Sequence, residues 1–103
     1  MSYDIKLTSD AEKDLGNIFE YIAFLLQAPE NAEGQLGRLE RGIASLDNMP
    51  ERFRLYEREP WASRGLRIMP VDNYLVFYVA DNETETVTVL RIMFGGRDIE
   101  RQL

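Results

Sequence analysis

A chain of 103 residues with 45% apolar and 11% aromatic side chains holds material for one hydrophobic core, so a single domain over residues 1–103 is expected. Its formal charge of −6 excludes indiscriminate binding to nucleic acid, which calls for a surplus of Lys and Arg. The absence of both Cys and His removes disulfides, thiolate and imidazole metal sites and the commonest general base, so neither a metal nor a cofactor is expected.

No apolar run approaches the roughly eighteen residues of a membrane span, and the opening MSYDIKLT lacks the basic and apolar regions of a signal peptide. A cytoplasmic location, away from membranes, is the expectation. The charge is unevenly spread: residues 1–50 carry nine acids against four bases, residues 51–103 nine acids against eight bases, all of them Arg. Arg presents a planar fork of donors suited to phosphate or carboxylate.

Residues 3–7 alternate Tyr3, Ile5 and Leu7 with Asp4 and Lys6, the pattern of a half-buried strand. Thr8 and Ser9 then offer helix caps, Glu12 closes a capping box with Ser9, and Asp10 lies near the positive end of the helix dipole. Ala11, Leu15, Ile18, Ile22 and Leu25 form one helical stripe, widened by Phe19 and Leu26, and Pro29 ends it near residue 27 or 28. Asn31 is the expected cap of a second helix with the stripe Ala32, Leu36, Leu39, Ile43 and Leu46. So short a connection predicts an antiparallel helix hairpin with both stripes on a sheet. Gly34, Gly37 and Gly42 each weaken that helix by about 1 kcal/mol relative to Ala and permit close packing.

Residues 48–63 have no helical or strand period and read as a long connection. Phe53, Leu55, Tyr56 and Trp61 either pin it to the core or present a surface to a partner. Residues 64–79 predict a strand, a turn at Asp72-Asn73 and a central strand. Tyr74, Val76 and Tyr78 share one face of that strand, Leu75, Phe77 and Val79 the other. Both faces are apolar, which places it inside the sheet. After a turn at residues 81–83, residues 85–94 form a last strand, with Val87 and Val89 opposed to Leu90 and Ile92. Residues 97–103 make a short terminal helix or extension.

The expected fold is therefore α+β, in the order βααβββ plus a short C-terminal segment, with a largely antiparallel sheet and the helix hairpin on one face. Following the chain, the strand after the hairpin is expected to run against the first. Leu15, Ile18, Ile22, Leu39, Ile43, Leu66, Ile68, Leu75, Phe77, Leu90 and Ile92 are assigned to one core between hairpin and sheet. Tyr74, Val76 and Tyr78 are then left on an open second face which, with Tyr56 and Trp61, is expected to receive a partner. By the same alternation Arg67 points away from the helices.

Taken in order, Gly65-Leu66-Arg67, Asn73-Tyr74 through Tyr78, and Leu90-Arg91-Ile92 leading to Gly96-Arg97-Asp98 resemble the RelE/ParE superfamily of bacterial type II toxin–antitoxin toxins. Ala11, Asp14-Leu15 and Tyr21-Ile22-Ala23 extend the resemblance over nearly the whole chain. It implies a toxin held inactive by a cognate antitoxin; the apolar second face and the aromatic loop are expected to receive that antitoxin or a second copy of the chain. The target it implies is either DNA gyrase, inhibited through contact, or the ribosome with its mRNA, cleaved without a metal.

Arg64, Arg67, Arg91 and Arg97 are the residues carried over for target binding, and Arg67 and Arg97 are the ones for catalysis. Met69 and Leu75 stand where nucleases of the superfamily carry further basic groups, Phe94 lacks a polar ring atom, and no Tyr or His follows Gly96. Arg is a poor base because it stays protonated. Inhibition by binding is thus preferred to RNA cleavage. The alternative of another class is a non-toxic relative of the fold serving as a binding or dimerisation module.

Overall fold

Thr8 starts the first helix and ties it to the last strand. Its Oγ1 accepts from the Ala11 N–H at 3.1 Å and donates to the Leu90 carbonyl at 2.8 Å. In the computed structural model, which describes residues 2–95 and Leu103, β1 (Asp4–Leu7) leads into α1 (Ser9–Glu20). The helix then widens into a π-helical turn, Tyr21–Leu25, where the Leu26 N–H reaches back five residues to the Tyr21 carbonyl at 3.1 Å. α2 (Pro29–Ala44) starts on Pro29 itself, not on an Asn31 cap. The residue expected to stop one helix is the first residue of the next, where its missing N–H would be unpaired in any case.

Two 3₁₀ turns, Ser45–Asp47 and Pro50–Arg52, precede β2 (Leu66–Val71), β3 (Tyr74–Asp81) and β4 (Thr86–Phe94). The sheet order is β1-β4-β3-β2, with β2, β3 and β4 antiparallel and β1 parallel to β4. The expected α+β order βααβββ holds. β2 nevertheless runs parallel to β1, not against it, because residues 48–65 carry the chain back across the sheet before β2 begins. Gly42 lets α2 approach β2 closely: a Cβ there would lie 3.0 Å from Val71 Cγ2.

The two faces of the sheet are the reverse of the expectation. Met69, Val76, Tyr78, Val87, Val89 and Ile92 face the helices and pack with Ala11, Leu39, Ile43 and Leu46. Leu66, Ile68, Phe77 and Met93 form a second cluster on the other face, joined by Leu75, Leu90, Tyr56 and Trp61. Of the residues assigned to the hairpin side, Leu66, Ile68, Leu75, Phe77 and Leu90 therefore belong to the opposite face, while Leu39, Ile43 and Ile92 are placed as expected. In β4 the expected opposition of Val87 and Val89 to Leu90 and Ile92 fails, because a register shift at Leu90 puts Val87, Val89 and Ile92 on the helix side and Leu90 on the other. Elsewhere alternation separates the two sets but carries no sign that says which set meets the helices when both are apolar.

That second face is not open. Residues 54–56 lie along the free edge of β2, where the Tyr56 N–H bonds the Leu66 carbonyl at 2.8 Å, the Ile68 N–H bonds the Arg54 carbonyl at 3.1 Å, and Leu55 pairs antiparallel with Arg67. The Tyr56 ring meets Phe77 edge-on at 6.1 Å. The long connection is thus a strap over the sheet.

Candidate partner-binding cleft

β4 outruns β1. The parallel pairing covers Thr86 to Val89, and past Leu90 the outer edge of β4 has no neighbouring strand among the described residues. Asp14, in the middle of α1, stands in for one: its Oδ2 accepts from the Ile92 N–H at 2.9 Å and from Arg91 Nε at 2.8 Å, and its Oδ1 accepts from Arg91 Nη2 at 3.1 Å. The Asp14 side chain is 13% exposed, so these bonds form away from bulk water. They raise the Arg91 pKa above its ordinary value, and partial burial opposes the rise.

Beyond Asp14 the gap between the π-helical turn and the end of β4 widens into a cleft of about 1080 Å³. Its helical wall carries Tyr21, Phe24, Leu25 and Leu26, which are 51%, 70%, 74% and 56% exposed. Phe94, itself 46% exposed, lies opposite and meets Tyr74 edge-on at 5.8 Å. Large apolar side chains concentrated this way on an otherwise charged chain mark an interaction surface. At the rim, Arg38 Nε donates to Asp72 at 2.6 Å and Gln35 Nε2 donates to the same oxygen at 3.0 Å. The Arg38 hydrogen bond, opposed by desolvation and helped by Gln35 and the Arg38 charge, holds the Asp72 carboxyl below its usual range. Asp72 occupies the β2–β3 turn at φ 55°, so the contact fastens that turn to α2.

The residues expected at a site are scattered. Val76 and Tyr78 are fully buried beneath the hairpin and face no partner; Tyr74, half-buried, is the one of the three that reaches the cleft. Tyr56 and Trp61 are half-buried in the strap. Arg67 points to the helix side of the sheet, the opposite of the expectation, since it shares that face with Met69 and pairs in register with Tyr78. Its Nη1 donates to the Phe53 carbonyl at 2.7 Å and the Glu51 carbonyl at 3.2 Å, and Nη2 lies 3.4 Å from Glu51 Oε2. Arg91 is engaged by Asp14, and Arg64 is exposed on the strap with its guanidinium 5.4 Å from the Trp61 ring centre. Arg97 lies outside the described residues.

Reading the sequence missed the exposure of Tyr21, Phe24, Leu25 and Leu26. The signal is nevertheless there: FEYIAFLL at residues 19–26 holds more large apolar side chains than one helical stripe can bury.

Tyr78 gives a pH prediction. Its hydroxyl donates to the Pro50 carbonyl at 2.5 Å, and burial raises its pKa above that of a free tyrosine, partly opposed by the charges of Arg67 and Arg52. The folded state thus holds this proton more tightly than the unfolded chain does. Its contribution is complete below the ordinary tyrosine pKa of about 10 and is lost as pH rises through the folded value. Tyr78→Phe is expected to cost about 1 kcal/mol at neutral pH by orphaning the Pro50 carbonyl, and to flatten the alkaline limb of the stability curve. Urea melts between neutral pH and pH 11 check this; an unchanged alkaline limb counts against it.

A helix hairpin laid on one face of a β1-β4-β3-β2 sheet is the architecture of the RelE/ParE class. Residues 5–99 match the family model of the ParE toxin of the type II toxin–antitoxin system parDE, and the chain belongs to that family. Solved structures with the same fold include the chromosomal ParDE system of Pseudomonas aeruginosa, with TM-score 0.72, 19% identity, and coverage of 90% of this chain and 96% of that one. The RelBE2 toxin–antitoxin complex of Mycobacterium tuberculosis gives 0.65, 22%, 91% and 99%. The archaeal RelE–RelB complex of Pyrococcus horikoshii gives 0.63, 17%, 94% and 99%. No curated protein matches the chain significantly by sequence.

Proposed function

We propose that this chain is the toxin of a type II toxin–antitoxin module that works in the cytoplasm by binding a macromolecular target and is silenced by an antitoxin bound to it. The observation that carries the reading is the family match over residues 5–99, on a chain that leaves large apolar side chains around one cleft. Several similar structures are complexes of a toxin with its antitoxin, and an uncovered apolar cleft is a surface suited to a protein partner.

Inhibition by contact, of the gyrase type, is favoured over ribosome-dependent RNA cleavage. Among the described residues, Arg67 spends its donors on the chain's own carbonyls and the Tyr78 hydroxyl is buried on Pro50, so neither is placed to serve a reacting phosphate. Of the arginines considered for the target, Arg64 is both described and exposed, and the strap that carries it is the target-facing element of this proposal.

Induced expression in a bacterial host is expected to arrest growth, and co-expression of the protein encoded by the neighbouring gene to relieve the arrest. Arg64→Ala is expected to weaken the arrest while changing stability by less than about 1 kcal/mol. Arg67→Ala is expected instead to lower stability by about 1–3 kcal/mol through its orphaned carbonyl partners. Normal growth with abundant folded protein would sink the toxin reading. Arrest relieved by a resistant gyrase variant, without RNA cleavage on translating ribosomes, selects the contact mechanism; cleavage overturns it.

A further inference from the structure

We infer that the outward side of the strap is an anion-recognition surface that takes an acidic segment of a protein target through Arg54 and Arg64. This rests on the proposed function and goes beyond it by naming the chemistry of the contact and a second residue that makes it.

Charge is segregated along the chain. Residues 52–67 hold five Arg against Glu57 and Glu59, a balance of +3, so the rest of a chain whose net charge is −6 carries −9. Two of the five hold the fold together: Arg52 donates to the carbonyls of Ser45, Asn48 and Met49, and Arg67 to those of Glu51 and Phe53. Arg58 has a partner of its own. Arg54 and Arg64 are exposed, and among the described residues neither meets a carboxylate. Glu59 does not neutralise them, because its carboxylate accepts from the Ser63 N–H at 2.7 Å and from the Ser63 hydroxyl. Glu57 is the remaining acid of the segment and is exposed.

Both guanidinium groups stand on restrained backbone. The Ala62 N–H on the Arg58 carbonyl at 2.9 Å and the Arg64 N–H on the Trp61 carbonyl at 3.1 Å close a turn, and Gly65, at φ 78°, leads from it into β2. Trp61, half-buried against the second-face cluster, carries the Arg64 guanidinium over its ring. That contact restrains Arg64 without using its N–H donors, which a carboxylate can accept in pairs. Arg54 is fixed by the bond from the Ile68 N–H to its carbonyl at 3.1 Å. It shares the extended segment 54–56 with Tyr56, whose ring lies on Phe77, so alternation starts the Arg54 side chain on that same side of the sheet. Donors held in this way lose little freedom on binding, and Arg beside Tyr and Trp is the composition of a protein-binding hot spot.

Nucleic acid is the poorer fit. Two unpaired Arg release few counterions, while the charge of −9 on the rest of the chain repels a polyanion. A short acidic segment brings little charge beyond what the two Arg meet.

Trp61 is the only tryptophan of the chain, so its fluorescence reports on the strap directly. The full chain is titrated, at about 0.15 M salt, with a peptide of about twelve residues alternating Asp and Ala, with its Asn-for-Asp counterpart, and with single-stranded RNA of about twelve uridines. The Asp peptide is expected to change the emission saturably and to bind at least about tenfold more tightly than either other probe. Arg54→Ala with Arg64→Ala, whose melting curve should match the parent's, is expected to lose at least about tenfold of that affinity. Arg64→Lys keeps the charge without the planar fork and should lose an intermediate amount. Equal binding of the Asn peptide, equal or tighter binding of RNA, no saturable change with the Asp peptide, or unchanged affinity in the double variant overturns the inference. In each of these cases the toxin reading stands if expression arrests growth and the neighbouring-gene product relieves it. Absence of arrest and of relief removes that reading, and the inference with it.

Discussion

Phe77→Ala is expected to destabilise the protein by about 3–5 kcal/mol, the range for emptying a fully buried aromatic site. Phe77 is 0% exposed and sits at the centre of the second face among Leu66, Ile68 and Met93, with Tyr56 edge-on to its ring. Truncation removes the ring and also the platform on which Tyr56 and Trp61 hold the strap. Two effects should appear together: a lower urea midpoint, and faster proteolysis within residues 54–65. Little change in the midpoint, below about 1 kcal/mol, would mean that this face is not sealed as described.

Asp14→Ala should cost about 2–4 kcal/mol, because it strands the Arg91 guanidinium and the Ile92 N–H at a site largely shielded from water. Asp14→Asn separates the two roles. Its amide oxygen still accepts from Ile92 but no longer balances the charge of Arg91, so an intermediate loss is expected. A double-mutant cycle with Arg91→Ala should show coupling of about 1–3 kcal/mol, since the partners share one network. Additive effects, or a loss under about 0.5 kcal/mol for Asp14→Ala, would reduce the contact to a surface ion pair.

Periodicity located both α-helices and all four strands of the described residues, but not the 3₁₀ turns at Ser45–Asp47 and Pro50–Arg52. The alternation at residues 74–79 marks a strand apolar on both faces and inside the sheet, though not that the chain itself covers the second face, and the stripes Leu15, Ile18 and Leu39, Ile43 do meet the sheet. What alternation could not decide was which covering lay on which side, because Val76 and Phe77 are equally apolar and both end fully buried. Arg67 was misplaced with them by the same one-residue ambiguity, and an inward arginine serving carbonyls 14 and 16 positions away leaves no local trace. The cleft was partly legible as the apolar excess at residues 19–26. Its other wall depends on β4 outrunning β1, a matter of register between segments some 80 residues apart in sequence.

That same pairing governs when the protein comes into being. Asp4 lies beside Thr86, and the Thr8 hydroxyl reaches the Leu90 carbonyl across 82 positions, so the sheet closes only after the final strand has left the ribosome. Contacts of such high order slow folding and leave nascent chains unfinished. Arg91 to Phe94 form one wall of the cleft, and an interrupted translation product lacks it. Such a fragment has no cleft, and so lacks the surface that the proposed function gives to the antitoxin.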